Sequence, residues 1–251
     1  MATRVLAFMA HPDDAEFTCA GALIRLRREA GCEIAIATAT SGDCGSARNR
    51  PDEIARIRHA EAEASARILD AEYYAAGAMD LFIMYDEPTV RRCIEIVRKA
   101  RPDIVITHPP ADYMVDHETV SRLVRTACFS ASMPNVWTND ADPATLLENV
   151  PHLYYVDPVE LKDPLGEPVT PDLVVDISDA MATKEKMLVC HASQREWLRE
   201  HHGMDEYIET MKRTGAERGK LIGRPFAEGF RQHLGHPHPQ NNLIAELLRI
   251  T

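Results

Sequence analysis

Two short stretches hold the residues best equipped for chemistry: Ala10-His11-Pro12-Asp13-Asp14, and His108-Pro109-Pro110-Ala111-Asp112-Tyr113-Met114-Val115-Asp116-His117. Each follows an apolar run and precedes a helix-like pattern. Imidazoles and carboxylates are not tolerated unpaired in a core, so packing alone does not explain them. Both types ligate divalent metals, and a catalytic zinc takes three protein ligands while keeping one position for water. A His/Asp/His set leaves that position open, whereas a structural zinc is more often closed by cysteines. The competing reading of the first stretch is an acidic surface turn in which Asp14 caps the following helix.

What must position these groups is a strand-then-helix alternation. Val5 to Ala10 reads as a strand, and Phe17, Leu23, Leu26 and Ala30 have helical spacing that stops at Gly31. The pattern repeats as a strand from Glu33 to Ala39 and a helix opened by Pro51 and Asp52 that runs to Leu69. Tyr73 to Ala75, then a helix through Val90, Ile94, Val97 and Ala100, then the strand DIVIT continue it. Further strands are expected at His152 to Val156 and Leu173 to Ile177, helices over much of 178–221, and a proline- and histidine-rich tail before a short last helix. Such alternation predicts an α/β, Rossmann-like three-layer sandwich with a mostly parallel sheet. Ligands in such folds bind beyond the carboxyl ends of the strands, so loops 11–16, 40–50, 77–81 and 108–117 should meet. A single unit over 1–251 is expected, with 1–133 as the core bearing both motifs and 134–251 completing the pocket.

The 251 residues include 28 Lys plus Arg against 39 Asp plus Glu, a formal charge of −11, the wrong sign for holding a phosphate backbone. Nucleic acid is therefore not an expected partner, although Arg48, Arg50, Arg56 and Arg58 cluster beside a candidate site loop. The first apolar run is too short for a secretory core or a membrane span, which makes a cytoplasmic location the default. The six cysteines are scattered without a C-x-x-C pair and read as reduced residues, with Cys44 in a glycine-flanked loop the one to watch.

HPDDAEF followed downstream by D-x-x-x-DH before a helix resembles the PIG-L/LmbE-like family of zinc-dependent N-deacetylases. SGDCGS, IRHAEAEASARIL, HASQ and RPFAEGF extend the likeness. The resemblance implies one Zn2+ per chain held by His11, Asp14 and His117, Asp13 as general base, and a small N-acetylated, N-acetylglucosamine-like substrate attacked by metal-activated water. It also implies a homo-oligomer. Met114 departs from the family pattern, which has a histidine there; His108 or Tyr113 is expected to supply the donor for the developing oxyanion. Asp116 orients a neighbouring group or simply interacts with a helix N-terminus. Arg58, Asp80, Met114 and His191 are the expected substrate-side residues. For Asp80 a turn-closing role competes, and for His191 a satisfied interior histidine does. His233, His236 and His238 suggest a second metal site or, more simply, an exposed tail. Alternatives to the deacetylase are an amidase acting on a larger conjugate, a metal-retaining binding protein without turnover, and a nucleotide-binding Rossmann protein; for the last, HPDDAEF stands where a G-x-G-x-x-G would be needed.

Overall fold

The computed structural model describes residues 2–202 and 207–250. Strand β1 (Arg4–Met9) is buried on both faces because its residues alternate between two cores. Val5, Ala7 and Met9 join the cluster containing Leu23, Leu26, Ile177 and Met187, while Leu6 and Phe8 join the one containing Ile94, Val97, Leu123 and Val124. Each such fully buried side chain contributes about 1.5–3 kcal/mol.

Helices α1 (Asp14–Thr18) and α2 (Ala20–Ala30) follow, then β2 (Glu33–Thr40), α3 (Pro51–Arg67), β3 (Glu72–Ala78), α4 (Glu87–Ala100), β4 (Ile104–Thr107) and α5 (Val115–Ser130). The first predicted helix is thus broken at Cys19, whose backbone leaves the helical region. Beyond residue 150 come β5 (His152–Val156), β6 (Leu173–Asp176), α6 (Met181–Val189), α7 (Ala192–His202), α8 (Tyr207–Lys220), β7 (Ala227–Gln232) and α9 (Leu243–Leu248). Of the helical stretch expected over 178–221, residues 203–206 lie outside the described residues.

One seven-stranded sheet runs in the order β3-β2-β1-β4-β5-β7-β6. The first five strands in sequence pair with one another in parallel, and β7 is antiparallel to both β5 and β6. This is the expected mostly parallel α/β architecture. The chain winds outward from β1 through β2 to β3, then returns to place β4 on the other side of β1. The loops leaving β1 and β4 therefore part in opposite directions and open a crevice at their carboxyl ends, the place where such sheets hold ligands.

Strand β7 corrects the reading of RPFAEGFRQ as tail. Its residues look unlike a central strand because two of them answer to buried partners. Gly229 lies against Asp157, where a Cβ would come within 2.0 Å of Oδ2. Glu228 is 4% exposed; it accepts the N–H groups of Gly21 and Ala22 at the start of α2 and a bond from Lys184 Nζ. Removing one partner of a buried pair leaves the other charge uncompensated. Glu228→Ala is accordingly expected to destabilise the fold by about 3–5 kcal/mol. Urea denaturation checks this, and a loss below about 1 kcal/mol would show that the pair is not the fastening it looks like.

Candidate metal centre

The two chemistry-bearing loops meet at the β1/β4 crevice. Beyond β1 the chain turns sharply: Asp13 adopts φ 106°, a left-handed conformation that Asp tolerates better than most residues. The turn is held by the His11 N–H, which donates to Asp14 Oδ2 at 2.7 Å, and by Arg58 Nη2, which donates to the Pro12 carbonyl at 2.7 Å. It delivers the His11, Asp13 and Asp14 side chains together, all nearly buried.

The two candidate ligand histidines are each backed by a carboxylate. His11 Nε2 lies 3.0 Å from Asp116 Oδ2, while its other nitrogen, Nδ1, is 3.3 Å from Asp14 Oδ2. His117 Nδ1 lies 3.1 Å from Asp112 Oδ1, and its Nε2 is 3.6 Å from Asp14 Oδ1. With Nε2 of His11 facing Asp116 and Nδ1 of His117 facing Asp112, the nitrogens that turn toward the Asp14 carboxylate are His11 Nδ1 and His117 Nε2. This is the carboxylate–histidine arrangement that orients metal ligands. Ligand atoms of His11, Asp14 and His117 all fall within 4.8 Å of one another, so one ion can reach the three.

The field at this point favours positive charge. Burial would lower the His11 pKa, but the bonds to Asp116 and Asp14 and the charges of Asp14 and Asp80 outweigh it and push it up to about 10. Burial likewise opposes ionisation of Asp14, yet the surrounding His117, His108 and His11 hold its carboxyl well below the usual range. The donor set, the backing carboxylates and the field fit a divalent cation. A second grouping, His108, Asp112 and His117, shares a ligand with the first, but its Asp112 is the rear partner of His117 Nδ1. In a third, both Asp80 oxygens already accept backbone N–H groups, from Gly42 and Cys44.

Several expected roles change with placement. His108 is 1% exposed and stacked on His117, with the Ala10 N–H aimed at its Nε2 at 3.0 Å. The same Nε2 lies 3.1 Å from Asp14 Oδ2, so it is spent on the Ala10 N–H and the Asp14 carboxylate, and burial together with His117 pulls the His108 pKa down to about 4. His108 is thus a neutral ring behind His117, not the oxyanion donor. Tyr113 stands at the rim, 62% exposed, with its ring edge-on to His117. Met114 is half-buried at the cap of α5. Asp116 takes the orienting role: it holds His11 and accepts the Leu81 N–H, and these bonds outweigh burial to keep its carboxyl below its ordinary value.

Arg58 was expected toward substrate but is 3% exposed beneath the loop, bonded to Pro12, Gly42 and Asp13. Gly42 is required there: its φ is +72° and a Cβ would come within 2.6 Å of Arg58. Asp80 ties down the 42–44 backbone instead of facing a ligand, because both its oxygens are occupied. His191 is fully buried, 3.3 Å from Glu16 Oε1 without the alignment of a hydrogen bond. The ring is interior, as the reading of a satisfied interior histidine expected, but it is not satisfied: among the described residues neither ring nitrogen has a hydrogen-bond partner. Burial lowers its pKa, and Glu16 and Asp13 more than restore it. In the tail, His233 Nδ1 pairs with the Tyr155 hydroxyl and His238 Nδ1 with the Pro151 carbonyl, so neither is a spare ligand. All six cysteines are free, and burial and the Asp43 charge raise the Cys44 thiol. Among the described residues, no helix is long and apolar enough to cross a membrane.

Asp13 has partners that sequence reading missed. Its Oδ2 accepts from Arg58 Nη2 at 3.3 Å and from the Tyr207 hydroxyl at 2.6 Å. Burial pushes the Asp13 carboxyl above its ordinary value, against the pull of Arg58.

A doubly covered, mostly parallel sheet with a His/Asp/His cluster and a buried carboxylate at its switch point defines the class: a Rossmann-like α/β protein with a candidate metal centre. Residues 6–128 match the family model PIG-L, GlcNAc-PI de-N-acetylase, and the chain belongs to the PIG-L/LmbE-like family. It is 27% identical over 239 residues to the diacetylchitobiose deacetylase of Thermococcus kodakarensis, spanning 91% of this chain and 82% of that protein. The solved N,N'-diacetylchitobiose deacetylase of Pyrococcus horikoshii superposes with a TM-score of 0.75 at 25% identity, covering 96% of this chain and 89% of that one. The 4-carboxy-2-hydroxymuconate hydratase of Pseudomonas putida shares the fold at a TM-score of 0.74 and 22% identity, over 97% of this chain and 100% of that one.

Proposed function

We propose that this protein is a metal-dependent N-deacetylase that releases acetate from a small, N-acetylglucosamine-like amide. The observation that carries the reading is the convergence of His11 Nδ1, Asp14 and His117 Nε2, each histidine backed by a carboxylate, with Asp13 next in the chain to Asp14. Zinc suits two imidazoles and a carboxylate, and held there it would acidify a water and polarise an amide carbonyl.

Asp13 is the general base. It takes a proton from the water attacking the carbonyl carbon and returns that proton to the amine nitrogen as the C–N bond breaks. Arg58 and Tyr207 both bond Oδ2, which leaves Oδ1 for the proton. Tyr113, exposed beside His117, is placed to donate its phenol to the developing oxyanion. Asp116 and Asp112 fix the orientation of the His11 and His117 rings.

A second reading, cleavage of a larger amide conjugate with the same machinery, is favoured by the rim. Leu81, whose N–H reaches Asp116, is 63% exposed, and Phe82 and Met84 beside it are 69% and 66% exposed. Asp80 and Arg58, meanwhile, are spent internally. Zinc-loaded protein incubated with N-acetylated mono- and disaccharides and with N-acetyl amides bearing apolar groups is expected to release acetate, and His117→Ala is expected to release none. Equal release by the two proteins would end the metal-centre reading, and turnover confined to the apolar amides would select the second.

A further inference from the structure

Tyr207 opens α8, far along the chain from the metal motifs and outside the 6–128 stretch that matches the family model. Ile208 and Met211, on the same helix, are buried in the core cluster, and the Tyr207 ring stacks on Phe17 with centroids 5.7 Å apart. Phe17 belongs to α1, the helix that begins at Asp14. The phenol therefore reaches the Asp13 turn from the C-terminal part of the chain, and its hydroxyl donates to Asp13 Oδ2 at 2.6 Å.

Arg58 donates to the same oxygen from α3, at the longer distance of 3.3 Å. Two donors on one oxygen stop the carboxylate from rotating about its Cβ–Cγ bond, so Oδ1 keeps one direction. Arg58 alone is the weaker hold, because its bond to Asp13 is long at 3.3 Å while its short one, 2.7 Å, goes to the Pro12 carbonyl. We infer that Tyr207 is a positioning residue for the reaction, holding the Asp13 carboxylate in the rotamer that presents Oδ1 to the attacking water. The inference rests on the deacetylase reading above. It makes the C-terminal part of the chain a contributor to the chemistry as well as to packing, since metal ligands and base come from the N-terminal half and the group that aims the base does not.

Tyr207→Phe removes one oxygen and keeps the stack on Phe17. It is expected to lower kcat roughly tenfold, the scale of a lost hydrogen bond to a charged group, with KM and bound zinc unchanged. In an Asp13→Asn background the same change should move kcat less than about twofold, because the carboxylate it aims is gone. An unchanged kcat, an equal loss in both backgrounds, or a loss that follows KM or zinc content overturns the role. A second readout needs no turnover. The ultraviolet difference spectrum of wild type minus Tyr207→Phe should show a red-shifted phenol band, with a smaller shift in the Asp13→Asn background, where the acceptor is a neutral amide oxygen; an unshifted band in the wild-type background overturns the contact. If zinc-loaded wild type releases no acetate, the deacetylase reading and the positioning role fall together. If Asp13→Asn abolishes release while Tyr207→Phe does not alter it, only the role of Tyr207 falls.

Discussion

Exchange of Asp13 for Asn is expected to lower kcat by about 10²–10⁴-fold, the range that a positioned acid–base group supplies, while leaving one divalent ion bound per chain. Asn is the informative replacement. It tolerates the left-handed backbone that Asp13 requires at φ 106°, where a β-branched residue would strain the turn that carries His11 and Asp14. Its amide oxygen can still accept from Arg58 and Tyr207, so the surrounding hydrogen bonds survive. What it cannot do is take a proton from water and hand it to a leaving amine. The environment also suits the exchange of a proton: burial raises the Asp13 carboxyl while Arg58 restrains the rise, bringing it nearer the range in which a base both accepts and returns a proton. Steady-state acetate release alongside metal analysis by atomic absorption decides the matter. Turnover within about threefold of wild type with metal retained would remove Asp13 from the reaction.

How much of this was legible beforehand depended on what each residue type constrains. His11, Asp14 and His117 stood out because imidazoles and carboxylates at strand ends need a partner or an ion, and the alternation of strands and helices put both loops at one edge of the sheet. Residue type does not say which way a side chain faces. Arg58, Asp80 and His108 were correctly placed near the site, yet each is turned inward and spent on the backbone of the site loops, at Pro12 and Gly42, at Gly42 and Cys44, and at Ala10. Tyr207 carried no signal, since an aromatic at the start of a helix reads as packing and its partner lies 194 residues away. Strand β7 was hidden for a related reason: Glu228 and Gly229 suit Lys184 and Asp157, contacts that no local pattern encodes.

Stripping the ion with a chelator is expected to reduce acetate release to background, and returning zinc is expected to liberate about one proton per ion at neutral pH. The second half follows from His11. A ligating imidazole must be unprotonated, but in the ion-free protein Asp116 and Asp14 lift the His11 pKa to about 10 against the effect of burial. At pH 7 that ring therefore carries a proton which the ion has to displace. The sign is fixed by the direction of the shift: protons compete below the raised pKa, so affinity climbs as pH rises and levels off only when His11 is already neutral. Between pH 6 and 8 the apparent zinc affinity should rise about tenfold per unit for a single displaced proton. Isothermal titration calorimetry in two buffers of different ionisation enthalpy counts the protons directly. Asp116→Asn removes the charge from the shorter of the two carboxylate contacts of the His11 ring, 3.0 Å against 3.3 Å for Asp14, and should diminish both the proton count at pH 7 and the slope. An affinity independent of pH across this range, with no protons released, would mean that His11 is not displaced by the ion and that the three-residue metal set has been drawn with the wrong member.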